Sequence, residues 1–172
     1  GANGGRMDAG LFGNHPEASR SSTGAWLRVL AHQDGGLLTG ASNVLRWNAG
    51  NFTNGARVRL EYGGWPSTNW MVIVTNQPAT NGLYVWDVTS LPATAAYWRV
   101  ISADATGVLD RSHQRFSING AVVPYYVNDA SVSGDVYCLT AGSATNGGEL
   151  STQPAEQLGA VLARYSISGV DQ

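Results

Sequence analysis

The residues able to do chemistry are few and scattered. One cysteine, Cys138, sits in the apolar run Val136-Tyr137-Cys138-Leu139. No intrachain disulfide can form, and a buried core thiol is the expected role. His15, His32 and His113 fall on three separate segments. Ser112-His113 lacks the G-x-S-x-G setting of a hydrolase elbow, and neither an H-E-x-x-H helix nor a P-loop occurs. Asp87, Asp104 and Asp110 are candidates for an acid pair, yet each lies in turn-like sequence where a solvated carboxylate is the expected role. Oxygen-bearing turns at Asp104, Asp110, Asn128, Asp129 and Asp135 are the place for a structural Ca²⁺, although no spacing matches a known calcium loop. No cofactor is expected, and the chain reads as a non-enzyme.

Carbohydrate is the ligand class with most support. Six tryptophans and seven tyrosines supply flat apolar faces for sugar rings. Trp47, Trp70, Trp86 and Trp98 lie in strand-like runs, where alternation turns most of them into the core. Trp65, in Gly63-Gly64-Trp65-Pro66-Ser67-Thr68-Asn69, falls in a loop, where binding residues concentrate. Trp65 and Asn69 are therefore the candidate ligand-binding residues.

Composition narrows the remaining classes. Charged residues are only 13% of the 172, and all ten basic residues are arginine. A Schiff base, a lysine base and a P-loop lysine are thereby excluded. A net charge of −2 supplies no basic stripe for nucleic acid and no polybasic segment for a membrane surface. No apolar run reaches the length of a membrane span, and no signal peptide stands at Gly1. Low charge with 22 glycines fits an extracellular β-protein rich in turns.

The elements that must position these residues are mainly strands. Residues 26–31, 43–47, 57–62, 70–74, 83–88, 97–102 and 115–118 read as strands, and 122–127 as one more. Arg57-Val58-Arg59-Leu60-Glu61-Tyr62 alternates charge with hydrophobe, so Val58, Leu60 and Tyr62 should face inward. Asn54-Gly55 marks the tight turn before it. Trp70-Met71-Val72-Ile73-Val74 is almost continuously apolar and is expected at the sheet centre. Leu158, Val161, Leu162 and Tyr165 mark one face of a helix of about three turns, with Pro154 in its first turn and Ser151 or Thr152 as cap. The expectation is an all-β protein. An antiparallel sandwich of about seven strands spans 25–120, between segments 1–24 and 121–172.

An ordered series of motifs resembles the Ser/Thr-rich cell-wall-anchored domain family, an immunoglobulin-like module of fungal wall proteins and bacterial exoproteins. The series is Val44-Leu45-Arg46-Trp47, Arg57 to Gly64, Trp70, Asn81 to Val88, Tyr97-Trp98-Arg99-Val100, and Asp110-Arg111-Ser112 leading to Phe116-Ser117-Ile118. It covers residues 44–118, and Trp65-Pro66 departs from the pattern. The flanks resemble pieces of a right-handed parallel β-helix. Asn3 to Asn14 is similar to a closing coil. Tyr126 to Asp129, Gly134 to Cys138 and the helix ending at Tyr165 are similar to the capped start of a solenoid, with Ser166 to Gly169 opening a first coil.

These resemblances imply a non-catalytic structural module of a large secreted or surface bacterial protein, of which this chain is a fragment. It would space, link or polymerise into an extracellular fibre, and neighbouring copies would supply the missing strands. One alternative is a carbohydrate-binding module of a polysaccharide-active exoprotein. The other is a fragment of a β-helix lyase or hydrolase.

Overall fold

A computed structural model describes residues 24–63 and 69–165. The segment 1–23 and Trp65 lie outside the described residues, so the closing-coil expectation and the Trp65 site do too.

Two sheets form, and the chain is predominantly β. Strands β1 (Trp26–Val29), β3 (Asn43–Gly50) and β6 (Leu83–Trp86) make one antiparallel sheet in the order β1-β3-β6. The larger sheet has the order β2-β9-β7-β4-β5. Its strands are β2 (Leu37–Leu38), β9 (Phe116–Ile118), β7 (Thr94–Ser102), β4 (Arg57–Gly63) and β5 (Trp70–Pro78). The short strand β8 (Leu109–Arg111) also pairs with β7. All pairings are antiparallel except β2 with β9.

Alternation along the strands builds one shared core. Val58, Leu60 and Tyr62 of β4 face inward as expected, and Leu60 lies opposite Val100 and Tyr62 opposite Trp98. Leu27, Val29, Leu45, Trp47 and Trp86 of the smaller sheet join the same apolar cluster. Each such side chain contributes about 1.5–3 kcal/mol on full burial. Indole N–H groups must find acceptors inside. Trp47 Nε1 donates to Ala79 O at 2.9 Å, and Trp98 Nε1 donates to Ala31 O at 2.9 Å. Gly55, in the turn before β4, has φ 85°, which the Asn-Gly pair allows.

Several expectations are corrected. Among the described residues strand β5 lies at the edge of its sheet, not at the centre, and Met71 and Val72 are about half exposed. Its β-branched run reports strand propensity, which does not fix position in a sheet. Strands β2 and β8 were not expected, because two or three residues are too few to show a period. Residues 122–127 form no strand. Pro124 lacks an N–H, Tyr126 N donates to Gly148 O at 2.6 Å, and pairing is limited to isolated bridges, such as that of Val127 to Ala155.

Helix α1 (Leu158–Arg164) has seven residues rather than three turns. Gln157 is its extended N-cap and makes no side-chain cap bond, so Pro154, Ser151 and Thr152 all precede it. Val161 and Tyr165 are buried, whereas Leu158 and Leu162 remain exposed. Among the described residues no helix is long and apolar enough to cross a membrane.

The stretch 121–165 is mostly turns held by backbone bonds. Ala155 bridges in parallel to both Val127 and Ser143. Gly142 permits that closeness, since a Cβ there would stand 1.9 Å from Asn128 O.

Candidate functional site

The outward face of the larger sheet carries the polar clusters. Strand β4 turns Arg59 and Glu61 to this face because Val58, Leu60 and Tyr62 turn inward. Glu61 lies directly opposite Arg99 on β7, and Arg99 directly opposite Arg111 on β8. Arg99 Nε and Nη2 reach Glu61 Oε2 at 2.7 and 2.6 Å, and Arg59 Nε reaches Glu61 Oε1 at 2.7 Å. Two guanidiniums thus share one carboxylate, whose side chain is only 5% exposed. The charge is tolerated there because both oxygens are paired. The Arg99 guanidinium lies 4.0 Å from the centroid of the Trp70 ring, and the Arg111 guanidinium 4.5 Å from that of Tyr97. Such stacking holds the guanidinium planes in place.

A second cluster joins this sheet to the segment 121–165. Tyr97 donates its phenolic hydrogen to Glu149 Oε1. Arg115 Nη2 donates to Pro124 O at 2.6 Å, and its Nε stands 3.6 Å from Glu149 Oε1. Gln114 Nε2 donates to the Tyr125 hydroxyl at 3.0 Å, and the Tyr125 and Tyr165 rings stack at 4.5 Å. Burial, then the bond to Glu149, pushes the Tyr97 phenol far above its ordinary pKa. Tyr97 is 1% exposed, so the cluster acts as an anchor rather than an open site.

A cavity of about 510 Å³ opens beside the anchor, lined by Val122, Pro124, Tyr125, Tyr126, Val127, Tyr137 and Cys138. Cys138 is only partly buried, with its thiol 3.5 Å from Val127 O. Val136, Tyr137 and Leu139 beside it are exposed, so the expected core around this thiol does not form. Burial and the neighbouring Asp135 raise the thiol pKa, which disfavours the thiolate.

The other candidates each hold a backbone or side-chain donor, and Asp110 does so from strand β8 rather than from a solvated turn. Asp104 Oδ2 accepts from Arg57 N at 2.6 Å and Asp110 Oδ2 from Val29 N at 2.7 Å. Asp129 Oδ1 accepts from Ser131 N at 2.7 Å, and Asp135 Oδ2 accepts from Asn128 Nδ2 at 2.6 Å. Asp87 closes a turn onto Thr89, and those hydrogen bonds lower its pKa. Among the described residues no group of three His, Cys, Asp or Glu is placed to hold a metal ion. Ser112 is fully buried, its Oγ accepting from Trp98 N at 3.2 Å, and His113 is exposed.

Asn69 is exposed at the head of β5. Its carbonyl oxygen comes so near Gly63 that a Cβ there would stand 2.8 Å away. The residue after it, Trp70, is half-buried under Arg99 and is the exception among the four strand tryptophans, most of which alternation turns inward. The available signal was the outward pair Arg59 and Glu61, which demands a partner from an adjacent strand. Trp47, Trp86 and Trp98 are core residues, as alternation indicates. Compared with known proteins, the chain matches no family model, no curated protein and no solved structure.

Proposed function

We propose that this chain is a non-catalytic structural module of a larger secreted or cell-surface bacterial protein, which spaces, links or polymerises neighbouring modules. The sandwich in this reading is immunoglobulin-like. Support comes from strand order: β1-β3-β6 parallels the A-B-E strands of that fold, and β9-β7-β4-β5 parallels G-F-C-C′. The motif series over residues 44–118 points the same way, and the parallel bridges at Ala155 suit a stacked solenoid start.

One observation carries the linking role. Strand β5 runs nine residues along a sheet edge, bears no charged residue, and pairs among the described residues only with β4. Natural edges usually carry charges or inward-pointing lysines that prevent pairing with another chain. This edge instead exposes Met71 and Val72. The occupant is a strand of a neighbouring copy.

Sedimentation velocity across a concentration series tests the reading. Association that rises with concentration and is lost in Met71→Lys supports it. A monomer at every concentration, or association indifferent to Met71→Lys, overturns the linking role. A second reading, a carbohydrate-binding module, is favoured by the aromatic and arginine face around Trp70.

A further inference from the structure

We propose that a second copy of this chain docks its exposed region 129–139 onto the outward face of the smaller sheet, making a head-to-tail contact. The proposal rests on the linking reading and places a contact away from the β5 edge.

The sheet face is apolar and cationic. Leu27, Val29, Leu45, Trp47 and Trp86 turn into the core, so alternation turns Trp26, Arg28, Arg46, Leu83 and Val85 outward. Pairing sets Arg46 opposite Leu83, and Leu30 N donates to Arg46 O at 2.9 Å. Trp26, Leu30, Leu83 and Val85 are all exposed. The three strands contain two arginines and no carboxylate. Among the described residues neither Arg28 nor Arg46 has an ion pair or a side-chain hydrogen bond.

The region 129–139 is apolar and anionic. Val136, Tyr137 and Leu139 are the most exposed large hydrophobic side chains described, and Val132 is exposed as well. Asp129 and Asp135 flank them. From Phe116 to Ala163 the chain has four carboxylates, including Glu149 and Glu156, and no basic residue. Exposed apolar surface of this kind marks an interaction site. Each patch carries the charge that the other lacks, so arginines covered on association would meet carboxylates instead of being buried alone.

Geometry makes the partner another copy. Ala96 and Trp98 face the core, so Tyr97 between them faces away from the smaller sheet, and its bond to Glu149 holds the segment 121–165 on that far side. The two patches therefore lie on opposite sides of the sandwich and cannot meet within one chain. Pairing between copies uses two different surfaces, and such a contact propagates unless a rotation closes it.

Sedimentation velocity of the full chain and two variants tests this. Arg46→Glu spoils the sheet face, and Val136→Lys spoils the docking region. Both side chains are exposed, and near-ultraviolet dichroism checks that each variant keeps its fold. Leu83→Ser and Tyr137→Ser replace them if either spectrum is lost. Each variant alone should stay monomeric up to at least about tenfold higher concentration than the parent chain. Their equimolar mixture should form a one-to-one dimer and stop, because each copy keeps one intact half of the contact. Association unchanged in both variants overturns the proposal, as does a mixture that forms no dimer. If Met71→Lys alone abolishes association, the β5 link stands and this contact falls. A parent chain that is monomeric at every concentration overturns both.

Discussion

The phenol of Tyr97 on β7 donates to the Glu149 carboxylate, a contact between residues 52 positions apart that ties the larger sheet to the C-terminal segment. Arg115 approaches the same carboxylate, so a single glutamate serves both partners. Around it the segment 121–165 gains a fixed place despite having little regular structure.

Replacing Tyr97 by Phe removes that donor and leaves Glu149 with Arg115 alone. A loss of about 1–3 kcal/mol is expected. Hydrogen exchange should quicken at Tyr126 and Gly148, whose backbone N–H groups bond within the segment, more than in β3 or β4. Equal acceleration in both regions would show that the contact is not a local tie.

The same phenol predicts alkaline instability. Its folded pKa lies above the ordinary value of 10.0, so the unfolded chain gives up this proton first. Stability is complete below pH 10 and falls as the pH rises beyond it. Tyr62 and Tyr165 are raised as well and add to the fall. Thermal melts from neutral to alkaline pH should therefore steepen downward, and less so in Tyr97→Phe.

His32 works in the opposite sense. Burial, partly offset by a backbone hydrogen bond to Val44, lowers its pKa below 6.5. The unfolded chain then binds the proton more readily, so stability present above pH 6.5 declines as the pH falls below it. His32 has φ 53°, a region Asn tolerates. His32→Asn should flatten the acid side of the profile, measured by urea midpoints at successive pH values.

Glu61→Gln tests the charge cluster on the outer face. Arg59 and Arg99 would lose their shared carboxylate, and a cost of about 3 kcal/mol is expected. Replacing Arg59 by Gln should cost under about 1 kcal/mol, because that side chain is 45% exposed. Chemical denaturation of the two variants should separate them clearly.

Gly142→Ala should disrupt the C-terminal segment. The added Cβ would stand 1.9 Å from Asn128 O, a backbone atom that cannot rotate away. Tyrosine near-ultraviolet dichroism and exchange in 121–165 would report the change, while exchange in β3, β4 and β7 should stay close to that of the parent chain.

The alternating run Arg57 to Tyr62 fixed its own inward residues, since a period of two admits only two faces and charge selects the outer one. The Asn54-Gly55 turn and most strands were legible for equally local reasons. Local sequence said nothing of neighbours. It could not place β5 at an edge, stack Trp70 on Arg99, or bring Glu149 to Tyr97. Those relationships depend on which strands lie side by side, and long-range pairing is set by the packing of the whole chain. The periodicity of residues 158–165 was similarly real but incomplete. It marked an apolar face, and only the surrounding fold decided that Val161 and Tyr165 would be covered while Leu158 and Leu162 would not.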